Sequence, residues 1–305
     1  MNNKSQILPQ ISNITARVLL VIGVCAFFIS GFLWFQHVYS SPRNVFLGML
    51  ENSFQTYGIG RSVEQSDDFQ SIDQTILLQA YRQQAARSIT DLTYPNDESD
   101  AHVVTEAVGT PKEDLIRYRS IETSEVGADN QPLDFSETID EWGRAESSSG
   151  QTDGELFTEA SLGIVPFGVL AHEDRQELTQ TIANRDVFQV DYADTEKSLW
   201  GWRPQLTYTV TVTPEDYIVM LKQFAQSVEL NHLEDIDPAQ FSDSPDLQFQ
   251  ITVDVWSRQL RELVFVDSGR TERYSSHGAL LPITIPDAEE TISVDELQTR
   301  LQSVQ

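Results

Sequence analysis

Cysteine is nearly absent from this sequence, which holds one, Cys25, in 305 residues. No disulfide can form within the chain, because a disulfide needs two cysteines. Cys25 lies inside an uncharged apolar stretch, so it is also a poor candidate for a catalytic nucleophile. The fold must therefore be held by core burial, without covalent cross-links.

Basic side chains are also scarce: the chain has 20 Lys and Arg against 47 Asp and Glu, a net charge of −27. Lys4, Arg17 and Arg43 are the only charged residues among the first 43, so the remainder carries 17 basic and 47 acidic side chains. An acidic surface repels phosphate backbones, which excludes nucleic acid as a partner through a basic footprint. Cations or basic partners are favoured instead, and solubility alone is the simpler explanation of the excess.

Catalytic and metal-binding motifs are missing as well. The chain has no G-x-S-x-G and no H-E-x-x-H sequence. Gly58-Ile-Gly60 lacks the third glycine and the P-loop lysine that nucleotide binding needs. The five histidines have no metal-ligand spacing: His37, His102, His172, His232 and His277. We therefore predict a protein that is not an enzyme, with no catalytic residue, no metal site and no cofactor.

Acidic segments are the next candidates for binding. Residues 97–100, 186–194 and 235–237 could offer oxygen ligands to calcium. None has the spacing that wraps oxygens around the ion in an EF-hand loop. Solvated loops are therefore the expectation for all three.

The tryptophans are the remaining candidates. Trp142, Trp200, Trp202 and Trp256 could line a ligand cavity or a partner surface, because tryptophan combines a large apolar area with one donor. Ordinary core packing is the simpler expectation. The sequence therefore leaves the ligand-binding residues unknown.

Long apolar runs are absent except for one, Val18 to Phe35. Its 18 uncharged residues would reach about 27 Å as a helix, close to a hydrocarbon core of about 30 Å. The run is apolar on every face, which argues against a buried globular helix. Lys4 and Arg17 precede it, which predicts that the N-terminus stays inside the cell.

Two alternatives to a membrane anchor concern the same run. Lipidation of Cys25 would need a small residue before it, and Val24 occupies that position. Cleavage as a signal peptide near Val38-Tyr39-Ser40 stays open, although the run exceeds the usual length of roughly 7 to 15 residues.

We predict an uncleaved anchor in a cell membrane, and the lipid bilayer is then a first partner. The predicted division is a cytoplasmic segment 1–17, a signal-anchor helix 18–38 and an extracytoplasmic domain 39–305. An exported domain without cysteines is common in bacterial envelopes and less so on the eukaryotic secretory route.

Hydrophobic periodicity predicts helices and strands in the exported part. Ser41-Pro42 is typical of a helix start, and an amphipathic helix should follow with Phe46, Met49, Leu50 and Phe54 on one face. Segments with strand character, bounded by turn residues, predict strands at 59–65, 75–82, 86–94, 102–109 and 115–123. The Ala- and Gln-rich stretch from Ile72 to Leu92 is also compatible with a helix.

Residues 127–154 are rich in Gly, Ser, Asp and Asn and predict an acidic loop with one short helix at Phe135 to Trp142. Beyond it, a helix is predicted at His172 to Ala183 and a turn at Ala193 to Pro204.

The C-terminal hundred residues have the clearest patterns. Leu206 to Val212 and Leu247 to Val255 alternate apolar and polar residues, which is typical of strands with one wet face. Between them, Thr213 should cap a helix that begins at Pro214. Further strands are predicted at 260–267, 271–275 and 281–285. Ser293 and Glu296 form a capping-box sequence for a last helix.

This order of elements resembles the C-terminal half of the LolA/LppX/LprG type of envelope lipoprotein carriers. In that family an Asp-x-x-Thr-Gly-x-Leu turn joins two long strands. Here Asp254, Ser257, Arg258 and Leu260 occupy the pattern, with arginine in place of the turn glycine, and His277-Gly278 occupies a later Tyr-Gly step. The chain is also similar to uncharacterised single-span exported proteins of small-genome bacteria.

The resemblance implies an α+β fold in which a curved antiparallel β-sheet, a half-barrel, carries helices packed on its concave face. In the carriers, the space between sheet and helices holds acyl chains. We therefore expect a membrane-anchored extracytoplasmic protein that binds a lipid or other apolar ligand, or a protein partner, at the cell surface. The alternative is a structural or adhesive surface protein whose sheet and helices leave no cavity. The chain departs from the carriers in two ways. The lipidated cysteine is missing, and an uncleaved anchor would hold at the membrane a carrier that must move between membranes.

Overall fold

The computed structural model describes residues 23–31, 38–67, 69–94, 100–127, 130–145, 154–230 and 233–304. Residues 23–31 are helical and exposed, and the rest of the apolar run Val18 to Phe35 lies outside the described residues. Over those ranges, every helix is too short or too polar to cross a bilayer. The single-pass anchor, its orientation and the division at residue 38 therefore stay predictions.

One mostly antiparallel sheet dominates the described chain. Its strands are β1 Gly58–Ser66, β2 Ser71–Gln79, β3 Ala85–Tyr94, β4 Ala101–Gly109, β5 Asp114–Thr123, β6 Trp142–Arg144, β7 Phe188–Val190, β8 Glu196–Trp200, β9 Arg203–Val212, β10 Leu247–Asp254, β11 Gln259–Phe265, β12 Thr271–Ser275 and β13 Thr291–Ser293. Their order in the sheet is β13-β6-β5-β4-β3-β2-β1-β12-β11-β10-β9-β7, and β8 pairs with β9. Only β13 and β6 pair in parallel among these. The predicted α+β class is confirmed.

Within the described ranges from residue 38 onward, five α-helices accompany the sheet. They are α1 Pro42–Ser53, α2 Glu155–Ser161, α3 His172–Arg185, α4 Pro214–Ser227 and α5 Val294–Ser303. The first four contribute to one core with strands from both halves of the sheet. The last packs on β6, where Leu297 is buried against Gly143.

The ambiguous stretch Ile72 to Leu92 forms two strands and not a helix. β2 and β3 pair along their whole length, from Ser71 with Thr93 to Gln79 with Ala85. Ile76 and Leu78 are buried and alternate with half-buried or exposed residues, which is the period of a strand. The turn between the strands contains Arg82 with φ +66°.

The amphipathic helix predicted after Ser41 is confirmed as α1. Phe46, Met49, Leu50 and the following Phe54 are all buried. Burial of such a face contributes on the order of 2 kcal/mol per large side chain, which outweighs the modest helix propensity of the segment.

Three local predictions are wrong. Phe135 to Trp142 contains a single turn and is not a helix. In this turn, the amides of Thr138 and Ile139 both donate to the Phe135 carbonyl. Ala193 to Pro204 is more than a turn, since it contains β8 and a hairpin with Gly201 at φ +63°.

Leu281 to Ile285 is not a strand. The Leu281 amide donates to the side-chain oxygen of Gln79 at 2.7 Å, and Pro282 and Pro286 have no amide hydrogen to donate. Ile283 is nevertheless buried, against Ala85 and Val108. The alternation of apolar and polar residues in this segment therefore reflects the burial of Ile283, although the segment does not pair as a strand.

The predicted helix caps are only partly present. Ser293 accepts a hydrogen bond from the Glu296 amide at 3.1 Å, as a capping residue should. Ser41 and Thr213 occupy N-cap positions, but neither side chain caps its helix. The Thr213 hydroxyl instead accepts a hydrogen bond from Gln189, at 3.4 Å.

Candidate ligand-binding site

A cavity of about 800 Å³ lies where α1, α3 and the edge strand β7 meet. Ligand pockets in proteins commonly measure roughly 300–1,000 Å³, so this volume suits a small molecule or part of a lipid. The cavity is partly open to solvent and extends past the edge of β9 to Thr209, Thr211 and Gln248.

The inner wall of the cavity is apolar. α1 supplies Phe46, Leu50 and Phe54, and α3 supplies Ile182. Phe188 on β7 completes this wall, and all five side chains are buried. Contact with such side chains favours an apolar ligand, at roughly 25 cal/mol per Å² of apolar surface removed from water.

Aromatic rings make the wall rigid. The Phe46 ring lies 5.3 Å from Tyr208 and 6.1 Å from Phe188, between ring centres, both in edge-to-face geometry. The Tyr208 hydroxyl donates to the Pro42 carbonyl at 2.8 Å, which ties β9 to the start of α1. Burial raises the pKa of Tyr208 above its usual range, so this hydroxyl keeps its proton and its hydrogen bond at any physiological pH.

The mouth of the cavity is polar and mainly acidic. Arg43 stands at the start of α1, facing Asp186, Asp191 and Asp194 around the same cavity. Tyr192 lies among them, half buried: burial raises the pKa of its hydroxyl, while Arg43 lowers it and Asp186 raises it. A polar mouth over an apolar wall is the arrangement that an amphiphilic molecule matches.

A second, shallower groove continues along α1 and α3 on the side of Tyr39. Its volume is about 640 Å³, and it shares Leu47 and Thr179 with the cavity. Its other lining residues are mostly polar, among them Asn44, Gln176 and Arg258. The cavity and the groove thus adjoin each other at Leu47 and Thr179.

The buried charges form structural ion pairs away from the cavity. Glu106 on β4 is 3% exposed and accepts hydrogen bonds from Arg87 at 2.6 Å and Arg117 at 2.9 Å. Burial alone would raise the pKa of Glu106, but the two arginine hydrogen bonds outweigh it and lower the pKa. The Arg117 guanidinium also lies 4.6 Å from the centre of the Trp142 ring.

A second buried group joins β1 to β12. Glu272 accepts hydrogen bonds from Arg270 and from the hydroxyl of Tyr274, and Arg61 lies 3.8 Å away. Burial raises the pKa of Tyr274 well above its usual range, and the Glu272 charge raises it further. The group lies under α2 and α4 and lines neither the cavity nor the groove, which points to a structural role.

The turn predicted from the family pattern connects β10 and β11. Asp254 is completely buried, and one of its oxygens accepts from the amides of Trp256 and Ser257 and from the Ser257 hydroxyl. Arg258, at the glycine position, has φ +50°, the left-handed conformation that glycine adopts without strain. Leu260 is fully buried.

The second family position is also structural. Gly278 has φ +72°, and its amide donates to the Gly58 carbonyl at 2.8 Å. His277 lies 2.8 Å from the Leu260 carbonyl through Nε2. Burial lowers the pKa of His277 to about 4, so the ring is neutral at physiological pH and donates that hydrogen bond.

None of the four candidate tryptophans lines the cavity. Trp142 is half buried against Arg117, whereas Trp200 and Trp202 are 64% and 69% exposed and Trp256 is 39% exposed. Both the cavity role and the core role are therefore wrong for Trp200 and Trp202. The residues that do line the cavity come from four segments far apart in sequence, and no local pattern could have assembled them.

Histidines and acidic segments are dispersed in the structure. His102 pairs with Asp91 at 2.7 Å, His172 contacts Arg175, and His37 and His232 lie outside the described residues. Across the ranges described, no three His, Cys, Asp or Glu side chains are placed to hold a metal ion. Segment 186–194 borders the cavity, Asp237 accepts from the Ala239 amide at a helical turn, and most of segment 97–100 is outside the described residues.

No family model and no curated protein matches the sequence. Among solved structures, the fold is similar to the crystal structure of LprF from Mycobacterium bovis, with 11% identity and a TM-score of 0.41. The alignment covers 81% of this chain and 96% of LprF. This match concerns the arrangement of sheet and helices, not a ligand.

Proposed function

We propose that this protein is a membrane-anchored extracytoplasmic binding protein that takes the apolar part of a lipid, or of another amphiphile, into the cavity between α1, α3 and β7. The observation that carries the proposal is a cavity of about 800 Å³ with an apolar aromatic wall and a polar mouth. A cavity of this kind removes a chain from water at one end and leaves a head group solvated at the other.

We further propose that the sheet curves around its helices as a half-barrel. A single core contains Ile59 and Ile76 from one half of the sheet together with Tyr208 and Ile251 from the other. Flat sheets of this many strands would hold the two halves apart, and large open sheets commonly curl.

The alternative, a structural or adhesive protein, requires sheet and helices that fill each other completely. The cavity speaks against that requirement, because a completely filled interior would leave no space of this size between α1, α3 and β7. The observations thus favour a binding role without naming the ligand.

The test uses the full chain in vesicles that contain a phospholipid with a photoactivatable group near the end of one acyl chain. After illumination, peptide mapping locates the labelled residues. We expect labels on peptides from α1 and α3, because the acyl chain would lie between these helices.

Two tryptophan substitutions on α3 serve as a matched pair. Ala183 lines the cavity, so Ala183→Trp should occupy part of it and reduce labelling of α1 and α3. The exposed neighbour Asn184 does not line it, so Asn184→Trp should leave the labelling unchanged. Labels confined to residues 18–38 in the wild-type chain would overturn the proposal.

A further inference from the structure

The hairpin of β8 and β9 ends in an unusually apolar tip. We call Leu199, Trp200, Trp202 and Trp256 the aromatic tip. The first three are 72%, 64% and 69% exposed, and the Trp202 and Trp256 rings lie 4.5 Å apart between centres. Monomeric soluble proteins rarely expose such a contiguous apolar surface without a partner.

The tip is apolar on both faces of its hairpin. All five residues of β8 are exposed, and successive side chains of a strand point to opposite faces, so Leu199 and Trp200 project on opposite sides. A protein partner that packs on one face would leave the other in water. A surrounding apolar medium covers both.

Charge at the tip contrasts with the rest of the molecule. Residues 196–204 and 254–261 contain four basic side chains, Lys197, Arg203, Arg258 and Arg261. Their acidic side chains are Glu196 and Asp254, and Asp254 is fully buried. In the rest of the sequence, 45 acidic side chains stand against 16 basic ones, so a local excess of bases beside exposed tryptophans fits phosphate groups next to apolar chains.

The polypeptide itself brings the tip close to the apolar N-terminal run. The Tyr39 hydroxyl donates to the Trp256 carbonyl at 2.8 Å. Four residue steps separate Phe35 from Tyr39, and an extended chain covers at most about 14 Å in four steps. Covalent geometry therefore keeps the end of the apolar run within that distance of Tyr39, which contacts the aromatic tip.

We propose that the aromatic tip docks into the surface of the lipid bilayer. The tryptophan rings lie at the boundary between head groups and acyl chains, where aromatic residues concentrate in membrane proteins, and the more exposed basic side chains, Lys197 and Arg203, contact lipid phosphates. This docking is separate from the cavity: it fixes the orientation of the domain on the membrane and does not require a bound ligand.

The test is quenching of tryptophan fluorescence by lipids brominated near the head-group end of the acyl chains. The full chain carries Trp34→Phe, which removes the tryptophan of the anchor and leaves four, three of them in the aromatic tip. In vesicles of three parts phosphatidylcholine to one part phosphatidylglycerol, we expect emission to fall by roughly half, because most of the remaining tryptophans contact lipid.

Trp200→Ser with Trp202→Ser should remove most of this quenching while thermal unfolding stays unchanged, since both side chains are exposed. Trp142→Phe is the matched control, because Trp142 lies on β6 and should leave the quenching in place. Unquenched emission from chain that floats with the vesicles overturns the docking, as does failure of the full chain to float with them.

Two other occupants have their own signatures. If the aromatic tip becomes less accessible to acrylamide as the protein concentration rises in the absence of lipid, its occupant is a second copy of the chain, and the proposal is overturned. A tip that stays accessible to acrylamide in vesicles would do so too, leaving a protein partner as the occupant. Loss of acyl labelling in the cavity would not affect the quenching, so the cavity proposal can fail while the docking stands; failure to float would overturn the docking together with the membrane anchor.

Discussion

The guanidinium carbon of Arg258 lies 4.5 Å from the centre of the Tyr39 ring, and this contact joins the start of the domain to the turn between β10 and β11. Arg258 also donates to the Tyr39 carbonyl, and Asn52 on α1 donates to the carbonyls of Ser257 and Arg258 at 3.0 Å. The contacts of its side chain with Tyr39 thus explain why this position has arginine, although glycine would adopt the same backbone without strain.

Replacing Arg258 separates these two effects. Arg258→Ala should lower the free energy of unfolding by about 1–2 kcal/mol, because the contacts with Tyr39 are lost and the left-handed backbone remains. Arg258→Gly should be more stable than Arg258→Ala by about 1 kcal/mol, since glycine adopts that backbone without strain. Urea unfolding measures both. Arg82, at φ +66°, is the control, and the same glycine-to-alanine difference is expected there.

Gly48 and Arg258 should be energetically coupled. A Cβ at Gly48 would collide with Cδ of Arg258, so Gly48→Ala in the wild-type chain should be neutral or destabilising. In the Arg258→Ala background the same change should stabilise by up to about 1 kcal/mol, because alanine is the better helix former. A double-mutant cycle by urea unfolding measures the coupling. Equal effects of Gly48→Ala in the two backgrounds would contradict it.

Glu106→Gln should destabilise the fold by about 2 kcal/mol, because Arg87 and Arg117 would lose their buried carboxylate. Glu262→Gln, which removes a partner of Arg273 in a more exposed pair, should cost less than about 1 kcal/mol. Similar losses from the two substitutions would contradict the structural role of Glu106.

The folded pKa of Glu106 lies below its usual value of 4.5. Its stabilising contribution is therefore complete above pH 4.5 and is lost as the pH falls through the folded pKa. The difference in unfolding free energy between wild type and Glu106→Gln should accordingly shrink on acidification below pH 4.5. A difference that stays constant in that range would refute this assignment.

His277 should make stability depend on pH in a higher window. Its folded pKa is about 4 against 6.5 for a free histidine, because burial disfavours the charged ring. The unfolded chain binds the extra proton between these values, so stability should fall from pH 6.5 towards pH 4, by up to about 3 kcal/mol at roughly 1.4 kcal/mol per pKa unit. Urea unfolding of wild type and His277→Gln at several pH values measures it. Parallel curves for the two proteins would contradict it.

Most helices and strands could be predicted because their periods are local properties. The buried face of α1 and the alternation of β9 and β10 are visible in the residues themselves. β8 was missed because every residue of it is exposed, so it has no period of two to detect. Leu281 to Ile285 was misjudged because its period is real but its hydrogen bonds go elsewhere.

The candidate site could not be predicted in the same way. Its wall combines Phe46, Ile182 and Phe188 with the edge of β9, and a cavity is the space that such segments leave unfilled. Their size makes the tryptophans candidates for a core, a cavity or a partner surface, yet which of these a large apolar side chain occupies depends on neighbours that are distant in sequence.

The sequence by itself determined the absence of a disulfide within the chain, the strong negative charge and the alternating segments that become strands, because these depend on composition and on neighbours a few residues away. Only the tertiary structure decided that α1 and α3 leave a cavity at β7, that Arg258 contacts Tyr39, and that Trp200 and Trp202 are exposed to solvent. The first two of these outcomes depend on contacts between residues more than a hundred positions apart, which form only when the whole chain packs.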